Sequence, residues 1–360
     1  MKVLIYPEFS PYGGTRTFLE ALIDFHSKQG IESAIILEIE QLSWFEPDFF
    51  YKRNIRTFIV PKRSKFFFKA WFSLLFDLRQ TLPAALIFRP DILIVSNGSP
   101  GLMLGSLMLW MPTIFFFHTY PLRPLNYGQQ FYITKLLSNS VRIITVSKAS
   151  AKIVSEFLKY SQDKIRIIYN SFKVPATKVV AGQTKNLILT LGHIAYYKNP
   201  KIWLEVASTV ISKSPKARFL WSGDGPLSEY IKKEILKRGL SEQIIIQDFI
   251  VNIEDLFSST LIYFQPSIHE SHGISIVDAM ARGIPCVGSR VGGIPESIEE
   301  GQTGFLFNHD DIEGFSGCIL RLIDDSELRS KLGDYGKEKA NLMFSNEKWR
   351  TQIKSLYDEF

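Results

Sequence analysis

The sequence predicts two α/β domains, each built on a doubly wound parallel sheet. Short apolar runs rich in β-branched residues alternate with segments of helical periodicity along most of the 360 residues. Runs that are this short and apolar on both faces are typical of parallel strands covered by helices. A polar segment containing Pro and Gly, SFKVPATKVVAGQTK, interrupts this alternation and divides it into two series.

The first series predicts an amino-terminal domain over residues 1–172. Its predicted strands are KVLIY, SAIILEI, DILIVSN, TIFFFH, RIITVS and KIRIIYN. Its predicted helices include Arg16–Gln29, Gly101–Trp110 and Lys148–Leu158. Pro112 interrupts the apolar run from Gly101 to Phe117, which is at the lower limit for crossing a bilayer. We therefore expect a buried helix and a buried strand there.

After a linker at 173–185, the second series predicts a carboxyl-terminal domain over residues 186–345. Its predicted strands are NLILTLG, ARFLWSG, QIIIQDF, LIYFQPS and IPCVGS. Its predicted helices are Lys201–Ser212, Pro226–Arg238, Ile253–Ser259, Gly273–Arg282 and Pro295–Glu299. The tail from Asp324 is helical throughout, and we expect its last helix, at 346–360, to pack back on the first domain.

Charge and cysteine content narrow the class of protein. Residues 1–180 contain 22 Lys and Arg against 12 Asp and Glu, a net +10, whereas residues 181–360 contain 20 against 24, a net −4. The basic half suits an anionic partner, but the sequence carries no recognised nucleic-acid-binding module. The two cysteines form no disulfide framework, and Pro7 ends the first apolar run too early for a signal peptide. We expect a cytoplasmic protein.

Candidate binding residues lie where predicted strands lead into helices, because ligands of open parallel sheets bind beyond the carboxyl ends of the strands. In the first domain these are Gly14, in the turn that opens the first helix, and His118, which ends the strand TIFFFH. Glycine lets the backbone approach a phosphate or sugar closely, and histidine can donate a hydrogen bond to a substrate. A plain turn and a loop histidine are the alternatives.

The second domain carries more candidates. His193 ends its first strand, and Lys198 precedes a helix, where it can reach a diphosphate as a point charge. Glu270 lies in the loop before the helix that begins near Gly273, and Asp278 lies more than one turn inside that helix. Free amides between these two carboxylates offer an anion site, at Gly273, Ile274 and Ser275. A solvated lysine, a solvated loop acid and a surface aspartate are the alternatives.

Five short elements follow one another through the second half of the chain. They are Gly192-His193, Lys198, Gly223-Asp224-Gly225, Glu270 with Asp278, and Gly292-Gly293-Ile294-Pro295-Glu296. In order and spacing they resemble the Gly-Arg, Lys, Gly-Asp-Gly, Glu-x7-Glu and Gly-Gly-x-Pro-Glu elements of glycosyltransferase family 4, the retaining enzymes of the GT-B fold. The resemblance extends over nearly the whole chain and is densest from Leu191 to Phe307.

The resemblance implies two Rossmann-like domains facing each other across a cleft, and retaining transfer of a hexose from a nucleoside-diphosphate sugar of the UDP or GDP type. It implies that Asp278 holds the ribose, Lys198 binds the diphosphate, and Glu270 with the following amides holds the sugar. It also places His118 over the sugar as a second catalytic residue, and Gly14 beside the phosphate or the acceptor. It implies neither a metal ion nor another cofactor.

Two positions depart from the family pattern. His193 replaces an arginine, and the loss of a permanent forked cation weakens the grip on a diphosphate. Asp278 is one methylene shorter than the usual glutamate, so its ribose contact is longer or passes through water. These departures leave open a noncatalytic GT-B subunit that binds a nucleotide sugar or a partner. A nicotinamide-dependent oxidoreductase is disfavoured, because neither initial strand is followed by G-x-G-x-x-G.

The segment Tyr51–Phe76 interleaves basic and aromatic residues. Its bases are Lys52, Arg53, Arg56, Lys62, Arg63, Lys65 and Lys69, and its aromatics include Phe66, Phe67, Phe68, Trp71 and Phe72. Such a mixture suits docking on an anionic membrane face. We expect a peripheral enzyme on the inner face of the membrane, acting on a glycan or lipid-linked acceptor. The alternative places the aromatics in the core and the bases on a solvated rim.

Overall fold

Two compact units make up the chain. The computed structural model describes residues 1–7, 13–61, 79, 81–96, 111–120, 133, 135, 137, 141–172, 187–249 and 253–360. One unit contains Met1–Ile168 with Arg350–Phe360, and the other contains Tyr169–Trp349. We call them unit 1 and unit 2. Each contains one parallel sheet, which confirms the predicted class of two parallel-sheet α/β domains. The predicted helix Gly101–Trp110 and the linker 173–185 lie outside the described residues.

The sheet of unit 1 has the order β3-β2-β1-β4-β5-β6-β7. Its strands are β1 Lys2–Pro7, β2 Glu32–Glu38, β3 Ile55–Val60, β4 Ile92–Ser96, β5 Thr113–Phe117, β6 Val141–Thr145 and β7 Ile165–Ile167. Every residue of the central strands β4 and β5 is buried, as the apolar runs predicted for a sheet covered on both faces. Strand β3 was not predicted, because exposed residues such as Arg56 interrupt its apolar pattern at the edge of the sheet.

The described helices of unit 1 comprise two that match predicted ones, near Arg16–Gln29 and at Lys148–Leu158, and others that were not predicted. They include Gly14–Gln29, Phe49–Lys52, a helical stretch at 81–88 and Lys148–Leu158, with 3-10 turns at Ile39–Trp44 and Gln162–Lys164. Ser147 caps the helix Lys148–Leu158 by accepting a hydrogen bond from the Ser150 amide. No described helix is long and apolar enough to cross a membrane.

The sheet of unit 2 has the order β10-β9-β8-β11-β12-β13. Its strands are β8 Leu187–Leu191, β9 Arg218–Ser222, β10 Ile244–Gln247, β11 Thr260–Gln265, β12 Cys286–Ser289 and β13 Gly304–Phe307. Helices or 3-10 turns separate them at Tyr196–Lys198, Pro200–Lys213, Ser228–Lys237, Glu254–Ser258, Ile274–Ala281 and Ile294–Ser297. Three longer helices close the chain, at Ile312–Asp324, Ser326–Phe344 and Asn346–Tyr357. Strand β13 and the helix Ile312–Asp324 were not predicted from the sequence.

A buried histidine joins the end of the chain to unit 1. His26 is fully buried, with its Nδ1 at 2.7 Å from Ser33 Oγ and its Nε2 at 2.6 Å from the Tyr357 hydroxyl. Ser33 donates its own proton to the Ile31 carbonyl, so His26 Nδ1 carries a proton and Nε2 accepts from Tyr357. Burial lowers the pKa of His26 to about 3, so the ring is neutral near pH 7.

This buried histidine makes stability sensitive to acid. The pKa of a histidine in the unfolded chain is about 6.5, above that of folded His26, so the unfolded chain binds a proton that the native state excludes. The contribution of neutral His26 is therefore complete above about pH 6.5. It falls by roughly 1 kcal/mol per pH unit as the pH drops towards 3. Melting temperatures at pH 7 and pH 5 measure the effect.

A His26→Gln variant isolates this contribution. We expect it to melt at a lower temperature than the wild type at pH 7, and to lose less stability between pH 7 and pH 5. Replacing the exposed His269 by Gln is the matched control and should leave the pH dependence unchanged. Equal acid sensitivity in the wild type and the His26→Gln variant would contradict the account of His26.

Candidate functional site

The candidate site of unit 2 lies at the switch point of its sheet. From β8 the chain builds outward through β9 to β10, and then returns to place β11 on the other side of β8. The loops that leave the carboxyl ends of β8 and β11 therefore diverge and open a crevice between them, where open α/β sheets bind ligands. Lys198 lies in the loop after β8, and Glu270 lies in the loop after β11.

Lys198 and Glu270 meet directly across this switch point. The Lys198 Nζ lies 2.6 Å from Glu270 Oε2, and the two side chains are only 11% and 15% exposed. The same carboxylate oxygen accepts a second hydrogen bond, at 2.7 Å, from the side-chain amide of the buried Gln265. A partly desolvated ion pair of this kind is stronger than one on the surface. The sequence identified both charged residues, but not their pairing and not Gln265.

Backbone contacts clamp the Glu270 loop from both sides. On the β8 side, the amides of Ile268 and His269 donate to the Tyr197 carbonyl at 2.8 and 3.2 Å. On the β12 side, the Gly293 amide donates to the Glu270 carbonyl at 3.0 Å. A Cβ atom added to Gly293 would lie 2.3 Å from the Ser271 carbonyl oxygen. The Gly-Gly-x-Pro-Glu turn therefore packs closely against the loop that carries Glu270.

Gly273 begins the helix behind Glu270. Its φ of 89° lies in the left-handed region that favours glycine. No side chain caps this helix end, and the first amides of a helix have no partner within it. Ser275, in the first turn, donates at 3.1 Å to Gln265 Oε1. The predicted amides at Gly273, Ile274 and Ser275 are thus at the start of a helix, next to the Glu270 carboxylate.

His193 is held by the neighbouring loop after β9. Its Nδ1 lies 3.1 Å from the Asp224 carbonyl oxygen, and its ring packs edge-on to Phe249 with centroids 5.4 Å apart. A carbonyl can only accept, so Nδ1 carries the proton of this hydrogen bond. The two loops also pack tightly, because a Cβ atom on Gly223 would lie 2.0 Å from the Gly192 carbonyl oxygen.

Asp278 has a partner that sequence reasoning missed. Its side chain is 8% exposed, and Oδ1 lies 3.6 Å from the guanidinium of Arg282, one turn further along the helix. Arg282 is fully buried at its side chain and also pairs with Glu254. The i, i+4 spacing of Asp278 and Arg282 was the available signal. Glu270 thus pairs with Lys198, whereas Asp278 has the Arg282 guanidinium as its neighbour.

His272, beside Glu270, is a buried neutral ring. Its centroid lies 5.3 Å from that of Tyr169 and 5.2 Å from that of Phe344. Burial lowers its pKa to about 3, so it carries no charge near neutral pH. Tyr169 in turn donates to Glu296 at 2.8 Å, which connects the Gly-Gly-x-Pro-Glu turn to the start of unit 2.

The two candidates of unit 1, Gly14 and His118, are both among the described residues. The first helix begins at Gly14, after Gly13 with a φ of 108°. His118 follows the last residue of β5 and is 6% exposed, with its ring centroid 4.2 Å from that of Phe18. His118 therefore lies at the carboxyl edge of its sheet, within an aromatic environment.

Sequence comparison finds curated relatives that match parts of the chain. Curated relatives include N-acetyl-alpha-D-glucosaminyl L-malate synthase of Bacillus anthracis, 28% identical over 60% of this chain and 58% of the relative. They also include sulfoquinovosyl transferase of Arabidopsis thaliana, 33% identical over 43% of this chain and 30% of the relative. The matched part of the chain thus spans between about a third and three fifths of the length of these curated relatives.

Solved structures match the fold over its full length. HepE of Anabaena in complex with UDP and glucose matches with a TM-score of 0.78 and 16% identity, covering 99% of each chain. Sucrose-phosphate synthase of Thermosynechococcus elongatus matches with a TM-score of 0.80 and 16% identity, covering 100% of this chain and 99% of the other. At this level of identity the likeness establishes the fold, which is GT-B.

Two family models divide the chain between them. The model described as Glycosyltransferase Family 4 matches residues 12–173, and the model described as Glycosyl transferases group 1 matches residues 176–339. Together they reach from the first helix of unit 1 almost to the end of unit 2. The chain therefore belongs to the group 1 and family 4 glycosyltransferases of the GT-B fold.

Proposed function

We propose that this protein transfers a hexose from a nucleoside-diphosphate sugar to a glycan or lipid-linked acceptor, with retention of anomeric configuration and without a metal ion. The acceptor attacks the face that the diphosphate leaves. The observation that carries the proposal is the Lys198–Glu270 pair, which is partly desolvated and lies at the switch point of the unit 2 sheet. The UDP bound in the crystal structure of HepE supports a nucleotide donor.

The roles of the site residues follow from their chemistry. A diphosphate competes with Glu270 for the Lys198 ammonium, and the amides at the start of the helix Ile274–Ala281 add donors for the anion. Glu270, released from Lys198, accepts hydrogen bonds from sugar hydroxyls. Asp278 holds the ribose of the donor, and His193 lies beside its phosphates. In unit 1, we assign His118 a hydrogen bond to the sugar and Gly14 a close backbone approach to the phosphate or acceptor.

A thermal-shift panel tests the donor site. We expect a rise in melting temperature with the diphosphates of only one of uridine, guanosine and adenosine, each tested free and sugar-linked. Ligand at a hundred times its dissociation constant adds about 2.7 kcal/mol of stability. Lys198→Met should abolish the response, whereas Lys201→Met, on an exposed residue three positions away, should retain it. The response should persist in EDTA, and no response to any nucleotide would refute the donor site.

A noncatalytic subunit of the same fold is the second candidate. Two observations favour it: the Nδ1 of His193 is already hydrogen-bonded to the Asp224 carbonyl, and Asp278 already has the Arg282 guanidinium as a neighbour. Such a subunit binds the nucleotide sugar without turning it over. Release of free nucleoside diphosphate over time distinguishes the two, since only an enzyme produces it.

The acceptor side of the proposal concerns unit 1. We propose that the protein is cytoplasmic and docks on the inner, anionic face of the membrane through the basic and aromatic segment Tyr51–Phe76. Most of this segment lies outside the described residues. Within the described part, Lys52 pairs with Asp48 at 2.5 Å and Arg53 with Asp24 at 2.6 Å. These pairs reduce the local positive charge, so the proposal depends on Arg56 and on the bases that follow Val60.

Vesicle flotation tests the docking. We expect the protein to float with anionic vesicles at low salt and to be released at high salt, because screening weakens the attraction. Replacing Lys62, Arg63 and Lys65 by Ser should abolish flotation. A matched triple replacement in unit 2 should not, at Lys232, Lys233 and Lys237. The absence of binding at either salt concentration would refute docking.

A further inference from the structure

Gln265 is the last residue of β11 and is fully buried, although it carries a polar amide. Its Nε2 donates to Glu270 Oε2 at 2.7 Å. Its Oε1 accepts from the Tyr263 hydroxyl at 2.9 Å and from the Ser275 hydroxyl at 3.1 Å. A buried amide with three hydrogen-bond partners of this kind is fixed in position.

The direction of these hydrogen bonds follows from their donors. The Leu191 amide can only donate, and it lies 3.3 Å from the Tyr263 hydroxyl oxygen. The Tyr263 hydroxyl therefore accepts from Leu191 and directs its own proton to Gln265 Oε1. With Oε1 engaged by two hydroxyls, the amide nitrogen must face the Glu270 carboxylate. The end of β8 and the first turn of the helix Ile274–Ala281 thus jointly orient the amide.

We propose that Gln265 is a positioning residue that holds the Glu270 carboxylate in place when a donor sugar is bound. This inference rests on the proposed function, in which a diphosphate draws the Lys198 ammonium away from Glu270. Lys198 and Gln265 donate to the same oxygen of Glu270. Gln265 is held by the Tyr263 and Ser275 hydroxyls, so it keeps its hold on that oxygen after Lys198 has moved.

Among the described residues, three elements contribute groups that face Glu270. The Lys198 ammonium and the Tyr197 phenol belong to the turn after β8, the Tyr263 phenol and the Gln265 amide belong to β11, and Gly273 lies behind the carboxylate. Burial raises the pKa of both phenols, so they remain neutral near pH 7. Because the phenols carry no charge, they do not compensate electrostatically when the Gln265 amide donor is lost.

Calorimetric titration tests this role with four probes: UDP, UDP-glucose, GDP and GDP-mannose. The sugar contribution is the ratio of dissociation constants between a nucleoside diphosphate and its sugar-linked form. We expect Gln265→Leu to reduce that ratio by about tenfold or more, because a hydrogen bond to a charged group is lost. Affinity for the free diphosphate should stay within about twofold, since Lys198 is untouched.

Gln265→Glu is the isosteric second variant. At pH 7 it places a second carboxylate beside Glu270, so we expect a larger loss of the sugar contribution than in Gln265→Leu. At pH 5 a proton shared between Glu270 and the introduced carboxylate restores part of the sugar contribution. The Gln265→Leu variant recovers none of the sugar contribution at pH 5. Gln243→Leu, just before the edge strand β10, is the matched control and should bind all probes as the wild type does.

The outcomes separate this inference from the proposed function. Equal weakening of free and sugar-linked diphosphates in the Gln265 variants would reveal general damage and overturn the positioning role, as would an unchanged sugar contribution. A wild-type protein that binds neither the four probes nor the adenosine diphosphates of the thermal-shift panel would instead overturn the proposed donor site. Melting temperatures of each variant identify a failure to fold.

Discussion

Replacing Glu270 by Gln is expected to lower the rate of sugar transfer by at least about a hundredfold while the protein stays folded. The amide retains an oxygen that accepts from Lys198 and Gln265, so the packing of the loop survives. It lacks the negative charge that the proposal requires at the sugar. The rate is measured as release of nucleoside diphosphate from the donor that the thermal-shift panel identifies.

The Lys198–Glu270 pair also makes this substitution informative about stability. Removing one partner of a buried pair leaves the other charge uncompensated, which costs about 3–5 kcal/mol when burial is complete. Both Glu270→Gln and Glu270→Ala remove that charge, and Glu270→Ala should destabilise more because it also removes the oxygen to which Lys198 and Gln265 donate. The Lys198→Met, Glu270→Gln double variant should recover part of the loss, as a double-mutant cycle would reveal.

A matched pair elsewhere in unit 2 provides the control. Glu205 pairs with Arg238 at 2.5 Å, outside the site, and both side chains are more exposed than those of the Lys198–Glu270 pair. Glu205→Gln should change stability by less than about 1 kcal/mol and leave the transfer rate unchanged. Full activity in Glu270→Gln would contradict the assignment of Glu270 and favour a purely structural ion pair.

Gly293→Ala is expected to damage both the stability of unit 2 and the donor site. The φ of Gly293 is −81°, which alanine adopts without strain, so only space is at issue. The added Cβ would lie 2.3 Å from the Ser271 carbonyl oxygen and 2.9 Å from His272 Cα. Those atoms belong to the loop that carries Glu270, so this loop must move. We expect a destabilisation of about 1–3 kcal/mol and at least a tenfold loss of affinity for the sugar-linked donor.

Gly317→Ala is the matched control for this steric effect. Gly317 lies in the helix Ile312–Asp324, and a Cβ added there would meet no heavy atom within 4 Å. Because glycine is unfavourable within a helix, alanine should raise stability by about 0.5–1 kcal/mol. Melting temperatures and donor titrations of both variants measure the contrast. Wild-type donor affinity in Gly293→Ala would indicate that the loop adjusts without moving Glu270.

The sequence was most informative where hydrophobic patterning repeated. The central strands have uninterrupted apolar runs because helices cover both faces of a parallel sheet, and these were predicted almost to the residue. Strand β3 was missed because it lies at the edge of its sheet, where exposed residues break the pattern. The short strand β13, at the edge of the other sheet, was missed as well.

The sequence predicted the charged residues of the candidate site but not the contacts between them. Lys198 and Glu270 could be identified because each follows a strand and precedes a helix. Their pairing links residues 72 positions apart, and no local pattern specifies such a contact. Gln265 was not identified because a single polar residue at the end of an apolar strand is typical of an ordinary strand boundary. The i, i+4 pair of Asp278 and Arg282 was readable from the sequence and was overlooked.

The division of the chain has a consequence for exchanging parts between relatives. Residues 350–360 belong to unit 1, where Tyr357 bonds His26 and Glu359 pairs with Arg142 and Arg166. A chimera cut only once, near residue 168, would therefore give unit 1 a foreign last helix and leave its buried histidine with a mismatched partner. The natural cassette is the insert 169–349, replaced between two junctions so that the host retains both ends of its own chain.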